Sequence, residues 1–128
     1  MRVYLAARYG RRDELVKYAH ILEAMGYTVT STWLMTYDGV WADEKDLVWE
    51  GHALRDLEDI DTADAVISFT HPRGTQTKGG GRHVEFGYGY AKGKKMIVIG
   101  PRENVFHHLP GIEFYPDFHA FTRAQKAL

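Results

Sequence analysis

The chain has 128 residues, 45% hydrophobic and 26% charged, and a formal net charge of -1. This fits one domain, residues 1–128, able to bury most of its apolar surface, while the near-neutral balance argues against a nucleic-acid partner or a charged membrane surface. Cysteine is absent, which excludes disulfides and thiolate chemistry; no apolar run approaches the ~18 residues that span a bilayer, and residues 1–7 are too short for a secretory signal, so a cytoplasmic protein is expected.

Residues 2–7 read as a short buried strand. In 12–25, Leu15, Val16, Ala19, Ile21, Leu22 and Met25 recur near helical spacing, and Gly26 ends the helix. Residues 27–32 are β-branched and alternating, a second strand. Segment 33–45 has no clean periodicity and is a loop or short helix able to overhang a site. Residues 46–61 predict a helix. Residues 63–69 are almost continuously apolar, as in a strand buried on both faces. A glycine-bearing loop, 71–81, leads into a helix over 82–91. A strand at 95–100, a loop at 101–111, a short strand at 112–115 and a helix at 118–127 complete the chain. Strands alternating with helices predict a doubly wound α/β fold, Rossmann- or flavodoxin-like, with about five parallel strands and helices on both faces. That class binds ligands at the carboxyl ends of its strands, where the loops after the first, second and third strands converge.

The third of those loops carries Gly79-Gly80-Gly81-Arg82-His83-Val84-Glu85-Phe86-Gly87-Tyr88-Gly89. Glycines ahead of a helix let backbone N–H groups approach an anion or hydroxyl, or simply make a surface turn. The order fits neither a P-loop nor a dinucleotide fingerprint. Glu85 lies about one turn into the helix among apolar and aromatic neighbours. Gly87 and Gly89 each weaken that helix by about 1 kcal/mol, a cost that close packing or ligand approach would explain. Asp56, Glu58, Asp59, Asp61 and Asp64 form an acidic run. Most serve as solvated charges or helix termini, and one could reach the site as a proton donor. Arg8, Arg11, Arg12, Lys78 and Arg82 are either helix-flanking charges or a phosphate clamp. The seven histidines are scattered, and the one adjacent pair, His107-His108, points in divergent directions. Neither a metal nor a cofactor is expected.

Four segments together resemble the nucleoside 2-deoxyribosyltransferase superfamily, which includes the deoxynucleoside 5′-monophosphate N-glycosidases. They are Val3-Tyr4-Leu5-Ala6-Ala7; Asp56-Leu57 followed by Ala63-Asp64-Ala65-Val66; the Gly81 to Gly89 segment; and Gly93-Lys94-Lys95-Met96-Ile97-Val98-Ile99. The resemblance implies that Glu85 is the nucleophile, Asp56 the acid that protonates the departing base, and Tyr4 a residue that orients the nucleophile. It implies substrate binding by Ala7, Arg8, Tyr9, Gly79, Gly80, Gly81, Arg82 and Asn104, with Asn104 in a region that reaches a neighbouring subunit's site. Tyr9, Trp33, Tyr37 and Trp41 are candidates to stack on a base. Expected partners are a nucleoside or nucleotide and a free nucleobase, in a homodimer or larger homo-oligomer.

One position departs from the pattern. Six residues before the nucleophile the transferases carry an acid and the monophosphate hydrolases a serine, whereas this chain carries Gly79. Deoxyribosyl transfer to a base is the leading expectation and monophosphate hydrolysis the alternative, with a non-catalytic nucleotide-binding module a third.

Overall fold

In a computed structural model, residues 1–35, 46–72 and 80–126 are described. Five strands, β1 (Arg2–Ala6), β2 (Thr28–Val29), β3 (Ala65–Phe69), β4 (Lys95–Ile99) and β5 (Glu113–Tyr115), form one sheet in the order β2-β1-β3-β4-β5. Every pairing is parallel. Four helices, α1 (Arg12–Ala24), α2 (Asp46–Thr62), α3 (Gly81–Ala91) and α4 (Phe118–Lys126), cover it. This is the doubly wound architecture expected from the sequence, with its topological switch between β1 and β3.

Alternation along each strand sorts the core into two layers. Val3 and Leu5 of β1 and Ala65, Ile67 and Phe69 of β3 pack with Leu15, Ala19 and Leu22 of α1 and Phe118 and Phe121 of α4. Tyr4, Ala6 and Val66 face the other way, toward Ile60 of α2 and Phe86 of α3. The central strands are buried along almost their whole length, as their unbroken apolar runs require.

Several element bounds differ from the sequence reading. The second strand shrinks from residues 27–32 to Thr28–Val29. Beyond it, the Ser31 hydroxyl takes the place of a backbone carbonyl, accepting the Leu5 N–H at 2.6 Å, and the chain then turns into a 3-10 helix at Thr32–Leu34. A second 3-10 turn, Tyr9–Arg11, precedes α1, and a third, Val105–His108, falls within the expected 101–111 loop. Helices α1 and α3 stop at glycines with φ of 97° at Gly26 and 76° at Gly93. There the left-handed turn lets Tyr27 N–H reach Leu22 O and Lys94 N–H reach Gly89 O, both at 3.0 Å.

Candidate active site

Tyr4 sits in the middle of β1 and is fully buried on the α2–α3 face. Its hydroxyl donates to Glu85 Oε2 at 2.9 Å. Helix α3 buries Arg82, Phe86 and Gly89, the i, i+4, i+7 stripe of an amphipathic helix. Glu85 is half-buried at the edge of that stripe. On α2, Asp56 lies one turn before the fully buried Ile60 and therefore also turns inward. Its carboxyl is hydrogen-bonded to that of Glu85. Three elements distant in sequence thus place a phenol and two carboxyls in one chain of contacts.

Two carboxyls hydrogen-bond to each other only if one carries a proton. Burial, reinforced by the charge of Asp56, pushes Glu85 well above the ordinary carboxylate range. Burial also raises Asp56; the hydrogen bond with Glu85 opposes this shift, Asp59 adds to it, and His52 and Arg55 oppose it. Burial and the neighbouring carboxylates hold the Tyr4 hydroxyl protonated, so it remains a donor to Glu85. The pair therefore keeps one proton near neutrality and titrates as a unit. A carboxylic acid beside an ionised carboxylate supplies a proton donor and a nucleophile from one site.

Three other members of the acidic run, Asp59, Asp61 and Asp64, have structural partners. Asp59 Oδ2 accepts the Thr32 N–H at 2.9 Å and the Thr32 hydroxyl at 2.6 Å. Asp61 accepts the Tyr88 hydroxyl at 2.8 Å, and Asp64 accepts the Arg2 N–H at 2.8 Å.

Among the described cations, Arg11 and Arg82 have partners of their own. Arg11 makes a two-pronged contact with Glu14, both bonds at 2.9 Å, and donates to Thr70 O. Arg82 is 8% exposed and pairs with Glu103 at 2.6 Å, while its Nε and Nη1 have no hydrogen-bond partner. Arg8 is exposed, and Ala7 is half-buried behind it. Gly80 has an ordinary φ of -143°, and a Cβ at Gly80 or Gly81 would meet nothing within 4 Å. These two positions leave open space rather than a strained turn. Gly79 and Lys78 lie outside the described residues, as do Tyr37 and Trp41.

Tyr9 and Trp33 do come together, with ring centroids 6.2 Å apart, and the Trp33 indole N–H donates to Leu5 O at 2.9 Å. This aromatic pair stands over the carboxyl end of β1. Asn104 caps its own 3-10 turn by accepting the Phe106 N–H at 2.9 Å, a local task the sequence reading did not assign to it.

Three features escaped the sequence reading. Ser68 interrupts the apolar run of β3 on the face shared with Tyr4, and its buried hydroxyl has no partner. The only signal was that single polar residue. Glu103 anchors Arg82, which no spacing could reveal. His107 is also not isolated: its ligand atoms and those of His83 and Glu103 lie within 4.8 Å of one another. However, His107 Nδ1 accepts the Glu103 N–H at 2.9 Å, which puts the neutral ring's proton on Nε2. Glu103 is already paired with Arg82, so the group suits anchoring the guanidinium better than binding a cation.

No family model matches the chain, and no curated protein does. Among solved structures, the fold is similar to that of a CMP N-glycosidase from Clostridium botulinum, with a TM-score of 0.63 and 19% identity over 100% of both chains. It is also similar to a 2-deoxyribosyltransferase from the psychrotolerant bacterium Bacillus psychrosaccharolyticus, with a TM-score of 0.73 and 20% identity over 93% of this chain and 88% of the other. A Leishmania mexicana 2-deoxyribosyltransferase gives a TM-score of 0.58 and 15% identity over 98% and 97%. These likenesses establish a shared fold. No helix among the described residues is long and apolar enough to cross a membrane.

Proposed function

We propose that the chain, as one domain, cleaves the N-glycosidic bond of a 2′-deoxynucleoside and transfers the deoxyribosyl group to an acceptor base. The observation that carries this reading is the Tyr4–Glu85–Asp56 constellation, in which two buried carboxyls share one proton and a phenol orients Glu85. The deoxyribosyltransferases and the CMP N-glycosidase that share the fold support it.

In the first displacement, a Glu85 oxygen forms a bond to the anomeric carbon as the bond to the base nitrogen breaks. Asp56 gives its proton to the departing base, which leaves poorly as an anion. The carboxylate is suited to the oxocarbenium-like charge that develops on the sugar. In the second displacement, a nitrogen of the acceptor base attacks the same carbon, the ester to Glu85 breaks, and Asp56 takes up the acceptor's proton. Asp56 and Glu85 interact directly, and closely spaced carboxyls suit a nucleophile and its acid–base partner better than a pair ~6.5–9.5 Å apart with water between them. On this reading the reaction takes the covalent route with retention. Tyr4 holds the attacking oxygen in place, and Tyr9 and Trp33 offer faces for the base.

A second reading is hydrolysis of a nucleoside 5′-monophosphate with water as the acceptor. It is supported by the end-to-end fold match to the CMP N-glycosidase and by the open glycine backbone before α3. Incubation with deoxyinosine and free adenine tests the first reading, and a panel of deoxynucleoside monophosphates tests the second. New deoxyadenosine establishes transfer, whereas free base with deoxyribose 5-phosphate establishes hydrolysis. No turnover in either mixture would overturn both. The exposed Val105 and Phe106 beside Asn104 support a homo-oligomer, which light scattering in solution tests directly.

A further inference from the structure

Three segments at the carboxyl edge of the sheet meet on Thr70, the first residue beyond β3. Its N–H donates to Ile99 O of β4 at 2.9 Å, and its hydroxyl donates to the same oxygen at 3.3 Å. Its carbonyl accepts Arg11 Nη1 at 2.9 Å, from the 3-10 turn Tyr9–Arg11 that follows β1. Gly100, with φ of 109°, leaves no room for a Cβ beside the Thr70 hydroxyl. Arg11 is itself held in one orientation. Its Nε and Nη2 grip the two oxygens of Glu14 at 2.9 Å each, which leaves Nη1 for Thr70. Glu14 also accepts the Tyr18 hydroxyl at 2.7 Å, and the Tyr18 ring stacks on Phe118 with centroids 4.1 Å apart. The hydrogen bond from Arg11, aided by that from Tyr18, outweighs burial and holds the Glu14 carboxyl down at about 2, so the grip keeps its charge. A partly exposed i, i+3 ion pair contributes little to stability by itself. It also leaves unexplained the donation to Thr70, 59 residues away. A planar fork meets both partners at once, which a lysine ammonium does not.

We propose that Arg11, locked by Glu14, is a positioning residue that pins the Tyr9 turn to the exit of β3 and so sets how the Tyr9–Trp33 face meets the base of a bound nucleoside. The inference rests on the glycosidic reading above for its ligand. Tyr9 opens the turn that Arg11 closes, and Arg11 N–H donates to Arg8 O at 3.0 Å. Backbone and side chain of one residue thus tie the turn at two points. Trp33 is fixed separately, through its indole N–H to Leu5 O of β1. The two rings lie 6.2 Å apart and are tilted by 42°. Trp33 is therefore anchored to β1, whereas Tyr9 is carried by the turn that Arg11 fastens to β3. The segment that leaves β3 at Thr70 leads on to α3 and Glu85. Neither Glu14 nor Thr70 belongs to the carboxyl pair, so loss of Arg11 should weaken base binding and spare bond breaking.

The test compares the wild type, Arg11→Lys and Arg11→Gln by KM and kcat for deoxyinosine with adenine as acceptor. It adds calorimetric binding of deoxyinosine in a Glu85→Ala background, where the nucleoside stays intact. Both Arg11 variants should raise KM and the dissociation constant by about tenfold, the scale of one lost base–aromatic stack. Their kcat at saturation should stay near the wild type's, the pattern of lost ground-state binding. Lysine keeps the charge without the fork, so Arg11→Lys should behave as Arg11→Gln does. A merely structural Arg11 would lower the melting temperature and leave KM and affinity in place. That result in a folded variant overturns the proposal, as does a fall in kcat with KM unmoved. Should neither variant fold, Glu14→Gln decides. It loosens the grip while keeping the guanidinium, so KM and the dissociation constant must rise, and unmoved values overturn the proposal. If nothing is turned over, yet deoxyinosine binds and the Arg11 variants weaken it, the glycosidic reading falls and this inference stands.

Discussion

Tyr4 on β1 and Glu85 on α3 stand 81 residues apart in the chain and share a hydrogen bond of 2.9 Å. The phenol is fully buried and held protonated by its surroundings, so its proton is committed to one carboxylate oxygen. Tyr4→Phe should therefore fold, with a stability loss of about 1 kcal/mol. Its acid limb in kcat/KM should move to higher pH, because the bond from Tyr4 favours the ionised form of Glu85. A pH profile superimposable on the wild type would show that the phenol does not tune the carboxylate.

Glu85→Ala should abolish turnover while leaving the far-ultraviolet circular dichroism of the fold intact. On the proposed chemistry, rapid quench of the wild type followed by peptide mass spectrometry should find the deoxyribosyl mass on Glu85. A sugar adduct at any other carboxylate would displace Glu85 from the nucleophile role.

Asp56→Asn should slow turnover by ~10²–10⁴-fold, the usual span for loss of a general acid. The deficit should shrink for nucleosides whose base departs readily without a proton. An equal deficit across leaving groups would mean that Asp56 acts on something other than departure.

The carboxyl pair also sets how stability depends on pH. Glu85 and Asp56 both have folded-state affinities for protons above the ordinary carboxylate values, chiefly from burial. The folded state thus binds more protons than the unfolded chain between the ordinary carboxylate range and the raised one. Stability contributed by the pair is fully present below the ordinary range and is lost as pH rises through the raised range. Asp56→Asn removes one titrating group and the repulsion with it. The melting temperature of the variant should therefore fall less steeply than the wild type's as pH rises from 4 to 9, and parallel curves would contradict the assignment.

The two glycines in the body of α3, Gly87 and Gly89, should respond oppositely to alanine. A Cβ on Gly89 would lie 2.7 Å from Val66 Cγ2 and 3.3 Å from Met96 Sδ, so Gly89→Ala should destabilise by about 1–3 kcal/mol. A Cβ on Gly87 meets nothing within 4 Å, so Gly87→Ala should gain up to about 1 kcal/mol from helix propensity. Chemical denaturation of the two variants checks the pair. The cost read from sequence at both glycines is thus explained by packing at Gly89 alone.

Local chemistry was sufficient for much of this protein. Apolar runs, helical spacing and glycine stops depend on neighbours within a few residues, so the alternation of strands and helices was readable from the chain. The short β2 was misjudged because Ser31 completes its ladder from a side chain, a substitution that periodicity does not register. The acidic run shows the limit most clearly. Asp56, Asp59, Asp61 and Asp64 look alike in sequence, and only the packing of α2 against β1 and α3 sends one to Glu85, one to Thr32, one to Tyr88 and one to Arg2. The same holds for Arg82, whose partner Glu103 arrives from the loop after β4. Sequence alone determined which residue types and elements were available. Tertiary structure decided which charges meet, because burial and proximity across distant segments set where a proton or a counter-charge resides.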